Sequence, residues 1–354
     1  MQYTIKEARE AILKACRQMK EEGLIVRTWG NVSARLSRDE FLITPSGRDY
    51  DTMQGEDLVL VNIRNLKYDG KYKPSSEKAM HARIYDRRPE CGFIVHTHQL
   101  NASAVSLLGE DIMLDEYLGK ASISDPGEAV VTEEEYAKLG KVIPCASYGL
   151  SSTKRLAKNI AKSVAKYPGA RAVLMRCHGA VLFGSDEERA MEQARVLERV
   201  CGKIYEKKCG EAIAAESGEE YGKELAGGSF LHTRTPYVLE MSRRAKTLLP
   251  YLDDAAQILG LRTLCIETSA CEEDIKKALT GRAAVLIKGD GAVCVGRDAE
   301  EARATALVLE KNCMAANLAL KKALDPVPKL GARIERRFYI RKYASLKGGA
   351  EEEN

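Results

Sequence analysis

The chain has 354 residues, 55 Lys and Arg against 51 Asp and Glu, and a hydrophobic fraction of 45%. A formal net charge of +4 with acids and bases interleaved offers no basic stripe for a phosphate backbone, so no nucleic-acid partner is expected. No apolar run reaches the roughly 18–20 residues that span a bilayer, and the opening MQYTIKEAREAILKACRQMK reads as an amphipathic helix rather than a signal peptide. A cytoplasmic protein with no membrane partner is expected.

Thr4 and Glu7 form a capping-box pattern, and Ile5, Ala8, Ile12, Leu13, Cys16 and Met19 share one helical face until Gly23. Three short strands follow, Asn31 to Leu36, Glu40 to Thr44 and Leu58 to Ile63, with a turn at Asp69-Gly70. Residues 75–88 read as a helix opened by serines, and Phe93 to Thr97 as a buried strand. Ser151 to Tyr167 is an amphipathic helix, Ala172 to Phe183 an apolar strand-like run, and Asp186 to Lys207 a long helix. This mixture is α/β, with helices packed on a sheet. The ten cysteines are scattered without a Cys-x-x-Cys pair, and read as small buried hydrophobes in a reducing compartment.

AVLMRCHGAVLFGSDEERAMEQARVLERVC (172–201) aligns without gaps to AVLIKGDGAVCVGRDAEEARATALVLEKNC (284–313), so that one constant offset carries Ala172 to Ala284 and Cys201 to Cys313. Half of the positions are identical, far beyond chance, so the chain contains an internal repeat. The Gly-rich stretch Ala226-Gly227-Gly228-Ser229 reads as the linker. The expected organisation is a catalytic domain over 1–225, a truncated repeat domain over 229–325 that is expected to be metal-free because Asp290 stands opposite His178, and an extension over 326–354 whose last residues, Gly349 to Asn354, fray.

Of five histidines, His96 and His98 stand in VHTHQ at the end of a strand. The strand period of two puts both imidazoles on one face, the geometry a metal chelate needs. An isolated His-x-His is more often a pair of ordinary polar residues at a strand end. His178 at a turn in an apolar run and Glu77 at a helix start shift that balance, because three neutral imidazoles with a carboxylate or water make a catalytic zinc site. His81 and His232 read as structural, and Cys177 points away from the metal.

Thr28-Trp29-Gly30-Asn31, Thr44-Pro45-Ser46-Gly47 and Ser75-Ser76 are each an ordinary turn when taken alone. Together they supply N–H groups, hydroxyls and a helix N-terminus, which is one way to hold a phosphate. No Walker loop or GxGxxG fingerprint competes.

The ordered blocks GNVSAR, ITPSG, KPSSE, HARIYDRRPE, IVHTHQLNASAVS, IPCASYG and RCHGAVLFG resemble the class II aldolase/adducin family, and its fuculose-1-phosphate aldolase branch in particular. The resemblance runs from about residue 5 to 210. It implies an α/β/α sandwich around a mainly antiparallel sheet and a homo-oligomer, a tetramer above all, with active sites between subunits, to which the internal repeat adds a smaller C-terminal α/β domain that partly repeats the sandwich. It further implies His96, His98 and His178 as ligands of one Zn²⁺ per subunit, other divalent transition metals fitting too. Glu77 is implied as fourth ligand and acid/base, and Tyr117 as a proton donor reaching in from a neighbouring subunit. Thr28, Gly30, Asn31, Ser46, Gly47, Ser75 and Ser76 are the implied phosphate cradle.

The expected reaction is cleavage of a ketose 1-phosphate to dihydroxyacetone phosphate and a small aldehyde through a zinc-stabilised enediolate. Alternatives are a phosphopentulose 4-epimerase or ketose-phosphate dehydratase on the same scaffold, or an adducin-like interaction protein without chemistry. The family's epimerase branch has Asp after the paired serines, where this chain has Glu77. Two features depart from the family pattern: an extra segment near Ser122 to Leu139, and the long stretch after the helix at 186–207, which carries no family His motif.

Overall fold

Thr4 accepts a hydrogen bond from the Glu7 N–H while the Glu7 carboxylate reaches back to the Thr4 N–H, and this reciprocal cap starts α1 (Ile5–Glu21). Its buried face is Ala8, Ile12, Ala15, Cys16 and Met19. The computed structural model describes residues 3–210, 221–225, 228–244 and 246–342, which divide into two units, Met1–Gly210 and Glu211–Asn354. Among the described residues no helix is long and apolar enough to cross a membrane.

In the first unit α1 is followed by β1 (Asn31–Arg35), β2 (Glu40–Ile43), β3 (Val59–Asn62), β4 (Tyr68–Asp69), α2 (Lys78–Arg87), β5 (Phe93–Thr97) and α3 (Leu100–Ser106). Then come β6 (Ile112–Met113), α4 (Glu133–Leu139), β7 (Val142–Ile143), β8 (Cys145–Ala146), α5 (Lys154–Lys166), β9 (Ala172–Met175), β10 (Gly179–Gly184) and α6 (Glu187–Cys209). Eight strands form one sheet in the order β4-β3-β2-β1-β5-β10-β9-β8, antiparallel except for the β8–β9 pair. Helices α2 and α5 pack together on one face, where Met80, Ile84, Tyr85, Leu156 and Ile160 meet Phe41, Ile94, Val181 and Phe183. Helices α1, α3 and α6 take the other. This is the α/β sandwich with a mainly antiparallel sheet that the sequence leads one to expect.

The apolar run 172–183 is a strand, a turn and a second strand, the hairpin that the sequence repeat leads one to expect. Cys177 takes a left-handed φ of +63°, and the His178 N–H returns to the Met175 carbonyl at 2.9 Å. The fold thereby delivers His178 on a tight turn between β9 and β10. The extra segment after Ser122 forms α4, capped by Thr132 and Glu135, and is tied to α6 by Glu135–Arg199 and Glu128–Lys203 contacts of 2.6 Å each.

The second unit contains β11 (Tyr221–Leu225), β12 (Gly228–Thr233), α7 (Pro236–Arg244), β13 (Thr247–Leu248), α8 (Asp253–Ile258), β14 (Thr263–Ile266) and α9 (Glu272–Leu279). It closes with β15 (Ala284–Ile287), β16 (Gly291–Gly296), α10 (Ala299–Lys322) and α11 (Lys329–Lys342). Its sheet runs β11-β12-β16-β15-β14-β13, and the β14–β15 pair is parallel. The repeat helix buries Ala302, Ala306, Leu309 and Cys313, packing on β16, β12 and α7, while α11 packs on α8. The division between the units falls after Gly210, and Gly228 and Ser229 of the expected linker begin β12. Ala226, Gly227 and Gly349 to Asn354 lie outside the described residues. Eight cysteines are buried as expected, but Cys265 is half-buried and Cys271, at the start of α9, is exposed.

Candidate metal centre

Strand β5 buries Ile94 against the α2/α5 layer, so the period of two carries His96 to the same face. His98 follows one residue beyond the strand end. His178 comes from the β9–β10 turn, and Glu77 precedes the first turn of α2. One ring nitrogen from each of His96, His98 and His178 lies within 4.8 Å of the other two, and all three residues are buried. His96 Nε2 is 3.0 Å from His98 Nε2. The Glu77 carboxylate spans two of the rings, with Oε2 3.2 Å from His96 Nε2 and Oε1 3.5 Å from His178 Nε2.

This donor set fits a divalent transition metal. His96 Nδ1 is 2.9 Å from the Ala180 carbonyl. Only an N–H can make that bond, so Nε2 of the neutral ring presents a lone pair to the centre. Glu77 Oε1 is buried without a hydrogen bond, an arrangement that a cation at this point would relieve. Burial pushes the Glu77 carboxyl up, but when His96 and His178 are protonated their charge, with the Asn31 amide, outweighs burial and holds the group well below the usual carboxylate range.

Behind Glu77 runs a buried hydrogen-bond chain that assigns a part to His81, a residue the sequence marked only as structural. Asn31 Nδ2 donates to Glu77 Oε2 at 3.0 Å, leaving Asn31 Oδ1 to accept from His81 Nε2 at 2.5 Å. His81 Nδ1 must then accept from Ser33 Oγ at 2.7 Å, and Ser33 accepts from the Tyr85 hydroxyl at 2.9 Å. Each link fixes the direction of the next, and the chain holds the carboxylate in one orientation.

The expected phosphate segments come together in part. Backbone bonds join two of them: Ser46 N–H donates to the Lys73 carbonyl and Ser75 N–H to the Thr44 carbonyl, each at 2.9 Å. Those two N–H groups are therefore committed to the fold. What these serines present to an anion is side-chain hydroxyl. Ser152, at a φ of +62°, donates to Ser76 Oγ at 2.7 Å and extends the cluster. No motif in the sequence marked Ser152, because its place depends on how the turn before α5 folds. Thr28 lies in the turn leading to β1, and Gly47 in the turn after Ser46 with a φ of +75°.

Gly30 links the two parts of the site. A Cβ there would stand 2.6 Å from the His96 carbonyl and 2.8 Å from Ile25 Cγ2, and its φ is +154°. Gly30→Ala is expected to destabilise the fold by about 1–3 kcal/mol, read as a lower urea midpoint, with weakened metal retention because the end of β5 must shift. Tyr117 is buried, with the Lys207 ammonium 5.9 Å from its ring centroid, at the root of the extra segment rather than in the histidine cluster.

An antiparallel-rich α/β sandwich with three convergent imidazoles and a carboxylate presents a donor set that could hold a divalent metal ion. The chain belongs to the class II aldolase and adducin N-terminal domain family, which it matches over residues 10–205 and again over 223–316. L-fuculose phosphate aldolase of Haemophilus influenzae is 30% identical over 192 residues, covering 54% of this chain and 79% of that protein. Among solved structures, an L-fuculose 1-phosphate aldolase is 29% identical over 59% of this chain and 91% of its own, with a TM-score of 0.48. YgbL of Klebsiella pneumoniae, described as a candidate aldolase/epimerase/decarboxylase, is 25% identical over 57% and 90% respectively, also at 0.48.

Proposed function

We propose that this protein is a zinc-dependent lyase that cleaves a ketose 1-phosphate to dihydroxyacetone phosphate and a small aldehyde. The observation that carries the reading is the convergence of His96, His98 and His178 on one buried point with Glu77 across two of the rings. The Haemophilus relative's name and Glu77 after the paired serines favour cleavage over epimerisation. A divalent ion held by the three imidazoles supplies Lewis-acid stabilisation of the negative charge that develops on the substrate's carbonyl oxygen.

The chain's own groups do the rest. Glu77 gives a proton to C3 of the dihydroxyacetone phosphate half after the C3–C4 bond breaks, and removes it in the reverse direction. The Asn31 amide, oriented by His81, holds Glu77 Oε2 while Oε1 is released toward substrate. Ser46, Ser75 and Ser76, with Gly30, Asn31, Gly47 and Thr28 around them, bind the phosphate. In the aldol direction Tyr117 donates a proton to the aldehyde oxygen across a subunit interface of a homotetramer, and in cleavage it takes that proton back from the C4 hydroxyl.

The test is an aldol screen of dihydroxyacetone phosphate with lactaldehyde and with glycolaldehyde, before and after chelator. Metal-dependent ketose 1-phosphate formation supports the reading. Interconversion of pentulose 5-phosphates with no aldol product would replace it with the epimerase. Replacing both Ser75 and Ser76 by Ala is expected to raise KM for phosphorylated substrates far more than for unphosphorylated analogues. Equal effects on both substrate types would remove the cradle from these serines.

A further inference from the structure

The second unit repeats more of the first than the hairpin and helix seen in the sequence. Strands β15 and β16 and the start of α10 follow β9, β10 and the start of α6 at the offset of the sequence repeat. The sheet register then extends the match to a segment with no gap-free counterpart. In the first unit His96 stands opposite Val181 and Thr97 opposite Ala180. In the second, His232 stands opposite Val293 and Thr233 opposite Ala292. Val293 and Ala292 are the repeat counterparts of Val181 and Ala180, so β12 takes the place of β5, and His232 the place of His96.

Three further observations fix the same alignment. Glu198 accepts from the N–H groups of Asn101 and Ala102 at 2.7 and 3.0 Å, at the start of α3. Its counterpart Glu310 accepts from Tyr237 and Val238 at 3.1 and 2.9 Å, at the start of α7. Tyr237 and Val238 follow His232 at the same spacing as Asn101 and Ala102 follow His96. The hairpin turns are built alike: the N–H of Asp290 donates to the Ile287 carbonyl at 2.9 Å, as that of His178 does to Met175. The preceding residues, Gly289 and Cys177, have φ of +72° and +63°. Finally, a Cβ on Gly179 would collide with the Thr97 carbonyl, and one on Gly291 with the Thr233 carbonyl.

Position for position, His96, His98 and His178 therefore become His232, Arg234 and Asp290. These three meet. Arg234 donates to Asp290 Oδ1 at 3.0 Å, while His232 Nε2 lies 2.9 Å from the Asp290 carbonyl oxygen and 3.4 Å from Oδ2. We propose that the second unit carries a converted metal centre, in which the Arg234 guanidinium is the resident cation and the unit binds no metal of its own. A guanidinium is always protonated and has no lone pair to offer a metal, so arginine at the His98 position closes the site to ions. Asp290, replacing the third imidazole, supplies the charge that a fixed cation calls for. The cluster is also open where the first is closed, with side-chain exposures of 22%, 42% and 36% for His232, Arg234 and Asp290 against 1% for His96 and 3% for His178.

The proposal rests on the metal-binding reading of the first unit for its comparison, and the test keeps the two apart. If Arg234 is what excludes the ion, Arg234→His leaves two imidazoles and a carboxylate, a donor set that binds divalent transition metals. Bound zinc per full-length chain is measured after stripping, reloading and gel filtration, with circular dichroism to check the fold. The wild type is expected to hold one ion, His96→Ala/His98→Ala none, Arg234→His two, and the three substitutions together one. An ion retained by His96→Ala/His98→Ala but lost with Asp290→Ala would overturn the proposal. So would Arg234→His adding no ion in either background. If Arg234→His misfolds, Arg234→Cys places a thiolate at the same point and the same increment is read. Failure of the first unit's reading shows separately, as an ion that survives both His96→Ala/His98→Ala and Asp290→Ala.

Discussion

Glu77→Gln is expected to lower kcat for aldol cleavage by about 10²–10⁴, with the fold intact and one metal still bound. Glu77 precedes the helix α2, whose Met80, Ile84 and Tyr85 are set in the core, so its backbone is held independently of its charge. Glutamine has the same length and shape, and its amide oxygen can still accept from Asn31 Nδ2. The three imidazoles remain in place to hold the ion. What the substitution removes is a group able to take and return a proton. The measurement is kcat and KM from a coupled dihydroxyacetone phosphate assay, with zinc content determined on the same samples. A kcat equal to the wild type's would move the acid/base role away from Glu77. A fall in zinc content would make its main part that of a ligand.

The parts of the site that follow a simple period were readable in the sequence. His-x-His on a strand puts two rings on one face whatever the rest of the fold does, and the Thr4/Glu7 cap is local to a single helical turn. The hairpin at 172–184 was legible from the repeat, but the conformation of its turn was not, because Cys177 adopts a left-handed φ that is uncommon outside glycine. The second-unit counterpart of the histidine pair was hidden by chain length rather than by chemistry. The stretch from His98 to His178 is longer than that from Arg234 to Asp290, and the extra segment with α4 lies in the longer one. A gap-free self-comparison at one fixed offset cannot cross such a change, whereas the pairing of β12 with β16 does so at once. His81 shows another limit. It lies one turn along α2 from Glu77, a spacing that brings side chains together on one face. Its importance rests on Ser33 and Asn31, which come from β1 and are joined to it only in the folded sheet.

His81→Gln is expected to flatten the loss of stability on acidification. Burial, helped by the neighbouring His96, pushes the His81 pKa down to about 3, while the unfolded chain has an ordinary histidine near 6.5. Below about pH 6.5 the unfolded chain takes up a proton that the folded protein refuses, so stability falls as pH drops and is regained as pH rises. The window runs from about 6.5 down to 3, and at pH 4.5 the cost is about 2–3 kcal/mol relative to pH 7. Glutamine can donate to Asn31 Oδ1 and accept from Ser33 through its amide, keeping the hydrogen-bond chain without a titrating ring. The Glu77 carboxylate, whose pKa is held low, loses stability in the same direction but does so in both proteins, so the difference between them isolates His81. Urea unfolding of metal-stripped wild type and His81→Gln at pH 7, 5.5 and 4.5 reads that difference. Parallel stability curves for the two would mean that His81 is already protonated in the fold. In that case Nδ1 would be a donor too, Ser33 would have to accept from it, and the directed chain to Glu77 would begin at His81 rather than at Tyr85.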